Sequence, residues 1–293
     1  MRAFTRRDVL ILLIALLAAP SVFLGKIWKE KGQRHGQEAA EPFRIAGNFY
    51  FVGASDLSAF LIAAPEGHVV LDGGYPATAP MIMASIAKLG FAIKDVKALI
   101  NSNPRPEQAG GLAAIQQASG AELWASDASA GVIAAGGDDP DIALPLRTLA
   151  RIGLFGYPPA RVDHVFKDGD TIHVGPIALT AHITGGATRG CTSWSFPVRD
   201  GDRALNVVSA CGLEMVLGMR YQEQAADIEH SLSVLRSLPS DVWVTSHGRR
   251  WGRYRKFVAR DTAKNPVDPF IDPEGYRAFI DAAETEFRSG LVH

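Results

Sequence analysis

Cysteine is nearly absent from the chain. Of 293 residues only Cys191 and Cys211 carry a thiol, so one disulfide is the most the chain can form and an apolar core must hold the body. Net charge is also lacking. Lys and Arg total 30 against 31 Asp and Glu, which leaves no global pull toward nucleic acid, and no nucleic-acid partner is expected. There is no low-complexity segment. Ser102, Ser209 and Ser246 sit in neither a Gly-x-Ser-x-Gly elbow nor a Ser-x-x-Lys motif, so serine nucleophile chemistry has no local support. What the chain does have is apolar residues, 47% against 21% charged, enough for one large core or two modest ones.

The apolar run from Val9 to Leu24 is short for a spanning helix, which needs about 17 to 25 residues. It is apolar on every face, with Arg2, Arg6 and Arg7 before it and Lys26, Lys29 and Lys31 after it. That pattern marks residues 1–31 as a targeting segment rather than a buried helix. Thr5-Arg6-Arg7-Asp8-Val9-Leu10 resembles a twin-arginine export signal. The small residues Ala19-Pro20-Ser21 suit cleavage, whereas Val22, Phe23 and Leu24 continue the run and suit an uncleaved anchor over residues 9–25 in the inner membrane. Either reading exports the body, to the periplasm or beyond. Residues 32–41 are polar and read as a linker, with the body over 42–293.

Short strands are expected at Phe49–Val52, Ala59–Ala63, His68–Leu71, Val96–Ile100 and Glu122–Ala125, with helices over Thr78–Leu89 and Ala109–Ala118. Leu144–Phe155 reads as an amphipathic helix lying over a cleft. Further strands follow at Arg161–Phe166, Thr171–Val174 and Ile177–Thr184. Trp194–Val198 and Ala204–Ser209 flank the turn Asp200-Gly201-Asp202. A helix over Ala225–Leu238, a strand over Val242–Thr245 and a helix over Pro273–Phe287 complete the chain. Two strand blocks, each followed by helices, imply an α/β fold with two sheets face to face and helices outside, an αββα sandwich. The loop after Val96–Ile100 leaves the carboxyl end of a buried strand, where such folds place their chemistry.

Asp56-Leu57-Ser58-Ala59-Phe60-Leu61, Leu71-Asp72-Gly73-Gly74, Tyr157-Pro158-Pro159, Asp168-Gly169-Asp170, Thr180-Ala181-His182 and Asp268-Pro269-Phe270-Ile271-Asp272-Pro273 span the body. Together they resemble the third subclass of the metallo-β-lactamases, which supports the αββα fold. The resemblance implies two zinc ions on six ligands, in a loop His-x-His-x-Asp-His, a Gly-His-Thr motif and a later His. In this chain the loop positions are Asn103, Arg105, Glu107 and Gln108, the fifth is Ala187 in Gly186-Ala187-Thr188-Arg189-Gly190, and the sixth is His247. Only Glu107 and His247 are zinc-binding types, and Arg105 puts a fixed positive charge where a cation belongs. No resident cofactor is therefore expected; zinc would be limited to those two residues.

Pro104 and Pro106 hold Asn103 and Arg105 extended, so that Arg105 and Glu107 face one side and pair. Asp72 is expected to cap the Gly73-Gly74 turn, and His182 to be a hydrogen-bonded core residue. His68, His164 and His173 are expected to be structural. Cys191 and Cys211 lie ten residues either side of Gly201, so an in-register hairpin brings them opposite each other, as a disulfide or as two buried thiols. Arg105, Arg189 and Arg249 or Arg250 are expected to converge on a positive cleft, with Trp251 or Tyr254 packing on a bound anion. The alternative is a solvated helix with its arginines paired.

Three functions follow from these features. The first is an exported, non-hydrolytic pseudoenzyme binding an anionic small molecule or a protein partner. The second is a divergent hydrolase of a lactam, lactone or ester, and the third a membrane-tethered scaffold. The export reading has its own test. A reporter fused after Gly36 is expected to be active only outside the cytoplasm, and Arg6→Lys with Arg7→Lys to block its transport; continued export of the double variant sinks the twin-arginine signal.

Overall fold

The computed structural model describes residues 36–144, 147–148, 156–213 and 220–289. Its first sheet runs in chain order through β1 (Phe43–Ala46), β2 (Phe49–Phe51), β3 (Phe60–Ile62), β4 (His68–Leu71), β5 (Val96–Ile100), β6 (Glu122–Ser126) and β7 (His164–Phe166). The second sheet is ordered β12-β11-β10-β9-β8, from β8 (Thr171–Val174), β9 (Ile177–Ile183), β10 (Thr192–Asp200), β11 (Arg203–Ala210) and β12 (Val242–Thr245). Tight turns make the neighbours from β1 to β4 and from β8 to β11 antiparallel. Parallel neighbours need a longer crossover, and helices supply it. The crossovers are α1 (Ala79–Lys88) between β4 and β5, α2 (Pro106–Ala109) and α3 (Leu112–Ser119) between β5 and β6, α4 (Asp127–Ala134) between β6 and β7, and α5 (Gln224–Ser237) between β11 and β12. Two more helices, α6 (Arg253–Ala259) and α7 (Pro273–Arg288), follow β12. The result is the αββα sandwich.

Strand alternation sorts the core into two layers. Val69, Leu71, Ala98 and Ile100 point between the sheets, where they meet Trp194, Phe196 and Val207. Val70, Val96 and Leu99 point the other way, under Ile82 and Ile86 of α1 and Leu112 and Ile115 of α3. Each Val, Leu, Ile or Phe among them contributes about 1.5–3 kcal/mol on burial, so the sandwich has a large apolar basis of its own.

Several elements differ from the sequence expectation. The helix expected from Ala109 starts at Leu112 and is preceded by the single turn α2, because Pro106 fits a first helical turn as well as it fits a loop. Strand β1 and helix α4 were not expected. The supposed linker is laid along the body over its described part: Gly36 C=O accepts from Asp56 N–H at 3.0 Å and Glu38 C=O from Ser55 N–H at 2.9 Å. The expected helix over Leu144–Phe155 and the segment 1–31 lie largely or wholly outside the described residues. Among those that are described, no helix is long and apolar enough to cross a membrane.

Two constraints fix the strand ends around the loop after β5. One is the disulfide between Cys191 and Cys211, whose Cα atoms are 5.8 Å apart. The two are not register partners as expected: the turn is the pair Gly201-Asp202, with Asp200 opposite Arg203, which shifts the register by one. The bridge closes just beyond the last ladder pair, Trp194 with Ser209. The other constraint is Asp72, buried at 3% exposure and held at φ +64°. Its carboxylate does not cap the glycine turn beside it, as expected, but reaches across to the end of β5. There Ser102 N–H donates at 2.8 Å, the Ser102 hydroxyl donates a further bond and Asn101 Nδ2 donates at 3.4 Å. Burial raises the carboxyl from 3.8 to about 7, against the opposing effect of the Ser102 bonds.

Both constraints are testable. Alkylation of denatured protein from an oxidising compartment is expected to find no free thiol, and Cys191→Ala with Cys211→Ala to cost about 3 kcal/mol of stability by the loop-entropy model; two modified cysteines refute the bridge. For Asp72, the folded state holds a proton that the unfolded state releases between about 4 and about 7. This group's contribution to stability therefore falls as pH rises through that window. Asparagine tolerates the left-handed backbone and keeps a hydrogen-bonding oxygen. Urea unfolding of Asp72→Asn is expected to lose that pH-dependent decline; an unchanged slope between about pH 4 and pH 7 overturns the assignment.

Candidate functional site

Strand β5 delivers the chain to a loop, Asn101–Arg105, that is pinned from every side. Asn101 N–H continues the sheet by donating to Trp124 C=O at 3.1 Å, and its side chain donates to Asn103 C=O at 2.8 Å. Ser102 C=O accepts from Thr192 N–H of the second sheet at 2.8 Å. The Tyr157 hydroxyl donates to Pro104 C=O. Below α2, Gly73 N–H donates to Gln108 C=O at 2.7 Å and Gly111 N–H to Gly74 C=O at 2.8 Å. A Cβ on Gly111 would come within 2.1 Å of Gly73 C=O, so this close crossing requires glycine.

A cleft opens at this point, lined by Asn103, Arg105, Glu107, Gln108, Ala187 and His247 together with Cys211 and Ser246. The fold thus brings together all six positions equivalent to metal ligands. Its volume of about 20 Å³ is room for about one water or one small ligand group. Within it the Arg105 guanidinium pairs with the Glu107 carboxylate, as the two extended prolines imply. Arg105 is 28% exposed at its side chain and Glu107 8%. Tyr75 stands beside this pair, and burial and the Glu107 charge push its hydroxyl up to about 12. Asn103 is buried against the disulfide, its Nδ2 3.4 Å from Cys191 Sγ, while its Oδ1 accepts from Thr188 Oγ1 and Arg105 N–H, each at 3.3 Å. The Gln108 Oε1 is buried and finds no hydrogen-bond partner among the described residues.

His247 is braced by Asp56, whose Oδ2 lies 3.6 Å from its Nδ1. Burial acts to raise the Asp56 carboxyl, but the bonds to His247 and to Arg249 N–H and the charges of both outweigh it and hold it low. Asp56 and Tyr157 stood in the quoted motifs without a role; their partners lie too far along the chain for local pattern to suggest one.

Other expected site residues fall elsewhere. Arg189 is outside the cleft lining, captured by Asp141 at 2.9 Å and Glu223 at 2.6 Å with its guanidinium over the Tyr221 ring. Arg249 pairs with Asp56 and is also outside the lining. Trp251 is a core residue, 1% exposed and donating to Ser58 Oγ at 3.2 Å, so it is unable to pack on a ligand. The expected convergence of three arginines on one mouth is therefore replaced by Arg105 alone, paired with an acid. His182 hydrogen-bonds Ser195 Oγ at 2.8 Å, and burial lowers its imidazole pKa.

The zinc pair implied by the resemblance does not fit these residues. Amides at 103 and 108, a methyl at 187 and a guanidinium at 105 replace imidazole and carboxylate donors. Two dications beside that guanidinium would be repelled by several kcal/mol even at an effective dielectric of about 20. Among the described residues no group of three or more His, Cys, Asp or Glu is placed to hold a metal.

The comparisons with known proteins agree with the architecture. The family model of the metallo-beta-lactamase superfamily matches residues 52–201. The Rm3 metallo-beta-lactamase is 37% identical, with a TM-score of 0.82 over 89% of this chain and 97% of its own. The native FEZ-1 metallo-beta-lactamase from Legionella gormanii is 33% identical, with a TM-score of 0.78 over 87% and 97%. BJP-1, a subclass B3 metallo-beta-lactamase of Bradyrhizobium japonicum, is 26% identical, with a TM-score of 0.78 over 88% and 96%. With a family model that matches half of its residues and a solved relative 37% identical over 89% of it, the chain belongs to the metallo-β-lactamase superfamily.

Proposed function

We propose that this is a non-hydrolytic member of the superfamily, exported and membrane-tethered, whose cleft binds a small anionic molecule through Arg105 without zinc. The observation that carries the reading is the Arg105–Glu107 pair lining the cleft together with Gln108, whose Oε1 finds no hydrogen-bond partner among the described residues. An anionic group entering the cleft competes with Glu107 for the guanidinium, whose planar fork suits a carboxylate or phosphate. A hydrogen-bond donor on the same ligand satisfies Gln108, whose buried oxygen otherwise goes without a bond. The ligand therefore carries an acceptor and a donor a few ångströms apart, and the small volume admits only that end of it. Export and tethering rest on the sequence of residues 1–31.

The hydrolase reading remains the competitor, supported by the intact His247–Asp56 contact and the names of the relatives. Elemental analysis of purified protein is expected to find well below one zinc per chain. Small anionic metabolites at about 100 times their dissociation constant are expected to add about 2.7 kcal/mol of stability, an effect lost in Arg105→Ala and kept in Arg249→Ala. Stoichiometric zinc, with cleavage of a lactam, lactone or ester that disappears in His247→Ala, overturns the proposal in favour of a hydrolase. A panel with no stabilising anion leaves a scaffold. Because the fold still gathers all six positions, restoring N103H, R105H, E107D, Q108H and A187H together is expected to confer zinc binding, read by isothermal titration.

A further inference from the structure

We propose that the outer face of α6 with the turn before it lies flat on an anionic lipid bilayer, on the side where residues 1–35 join the body. Four large hydrophobic residues are exposed among those described, and two of them, Tyr254 at 70% and Val258 at 48%, stand four apart on this helix. That spacing places them on one face. Arg249, Arg250 and Arg255 are exposed around them. The inner face is committed to the body. Arg253 is buried with its guanidinium 5.0 Å from the Phe51 ring centre, and Lys256 is buried 2.8 Å from Asp272 and over Trp243. The helix is thus locked in the rotation that turns Tyr254, Arg255 and Val258 outward. Cations ringing an aromatic and an aliphatic side chain are the chemistry of an interfacial, lipid-facing helix.

The entry point of the chain says which surface this face meets. Gly36 C=O accepts from Asp56 N–H at 3.0 Å, and Asp56 in turn takes Arg249 N–H at 2.7 Å and Gly248 N–H at 2.7 Å. The chain therefore reaches the body two hydrogen-bonded contacts from the basic turn. Leu24, the end of the apolar run, precedes Gly36 by 12 residues, a span of at most roughly 40 Å. A bilayer holding that run is within reach of this face, and tethering makes the second contact intramolecular. The inference rests on the membrane reading of residues 9–24 and is independent of the cleft.

The test uses the full chain with vesicles of phosphatidylcholine alone, of phosphatidylcholine with phosphatidylglycerol, or no vesicles and inorganic phosphate instead. Co-sedimentation with neutral vesicles reports the N-terminal segment, and amide hydrogen exchange over residues 249–258 reports the face. Exchange there is expected to slow several-fold with phosphatidylglycerol only, to recover at high salt, and to lose its lipid dependence in Arg250→Glu with Arg255→Glu and in Tyr254→Ser. All of these substitutions are at exposed positions. Slowing with phosphatidylglycerol but no sedimentation with neutral vesicles supports the face and refutes the anchor. No slowing in any arm, equal slowing on neutral lipid, or the same slowing with inorganic phosphate overturns the proposal.

Discussion

The buried contact between Asp72 and Ser102 is the constraint on which the site depends. It ties the exit of β4 to the exit of β5, and Ser102 C=O then accepts from Thr192 to tie both to the second sheet. With residue 102 fixed in three directions, Asn103 can only settle against the disulfide and Thr188. The two prolines then carry Arg105 into the cleft. The arrangement is costly, since a fully buried carboxyl without a cation nearby is pushed toward its protonated form. It persists because the contact lies between two apolar layers that hold both strand ends in place whatever the carboxyl does.

Charge around the cleft follows one rule: each guanidinium near the mouth has been met by an acid. Arg105 has Glu107, Arg249 has Asp56, and Arg189 has both Asp141 and Glu223. These pairs do not make the cleft a positive funnel. They make it a place of strong local dipoles in which one guanidinium, Arg105, lines the cavity. Exposed pairs of this kind contribute little to stability, so their consequence is positional. The two acids on Arg189 bind the strands' connecting loops to one another over the Tyr221 ring, and Asp56 holds His247.

Much of the fold was legible because turn chemistry brackets the strands. β4, β5, β8 and β12 start directly after Gly67, Asp95, Asp170 and Asp241 and stop at Asp72, Asn101, Gly175 and Ser246, all of them turn-forming residues. β1 was not legible, since Phe43–Ala46 is four residues beside a polar stretch and acquires its strand character by pairing with β2. Nor was α4, whose Ala, Ser and Gly residues form no strong apolar stripe. In the site, the Arg105–Glu107 pair could be read because its cause is local. The fates of Arg189 and Arg249 could not: the acids that capture them lie 48, 34 and 193 residues away in the chain. Nearness to a ligand position along the sequence says nothing about which wall of a cleft a side chain joins. Trp251 shows the same limit, since its aromatic ring and its neighbouring arginines suggested a ligand platform whereas Phe51 and Phe60 claim it for the core.

The six ligand-equivalent positions lie outside the contacts that hold this architecture. Where a metal nucleates folding, its ligands are inseparable from stability, as in small zinc domains. Here the sheets meet over Trp194, Phe166, Phe49 and Phe60, all essentially inaccessible to solvent, and none of that burial passes through the cleft. The ligand positions occupy the rim of an already closed sandwich, so substitutions there exchange chemistry at little expense in folding. What they must do is neutralise one another, because a largely buried cleft wall tolerates neither a bare guanidinium nor a bare carboxylate. Arg105 and Glu107 meet that requirement as a pair. Glu107 keeps a carboxylate at the Asp position of the family's loop, whereas Arg105 reverses the charge at its own position, and the two side chains pair.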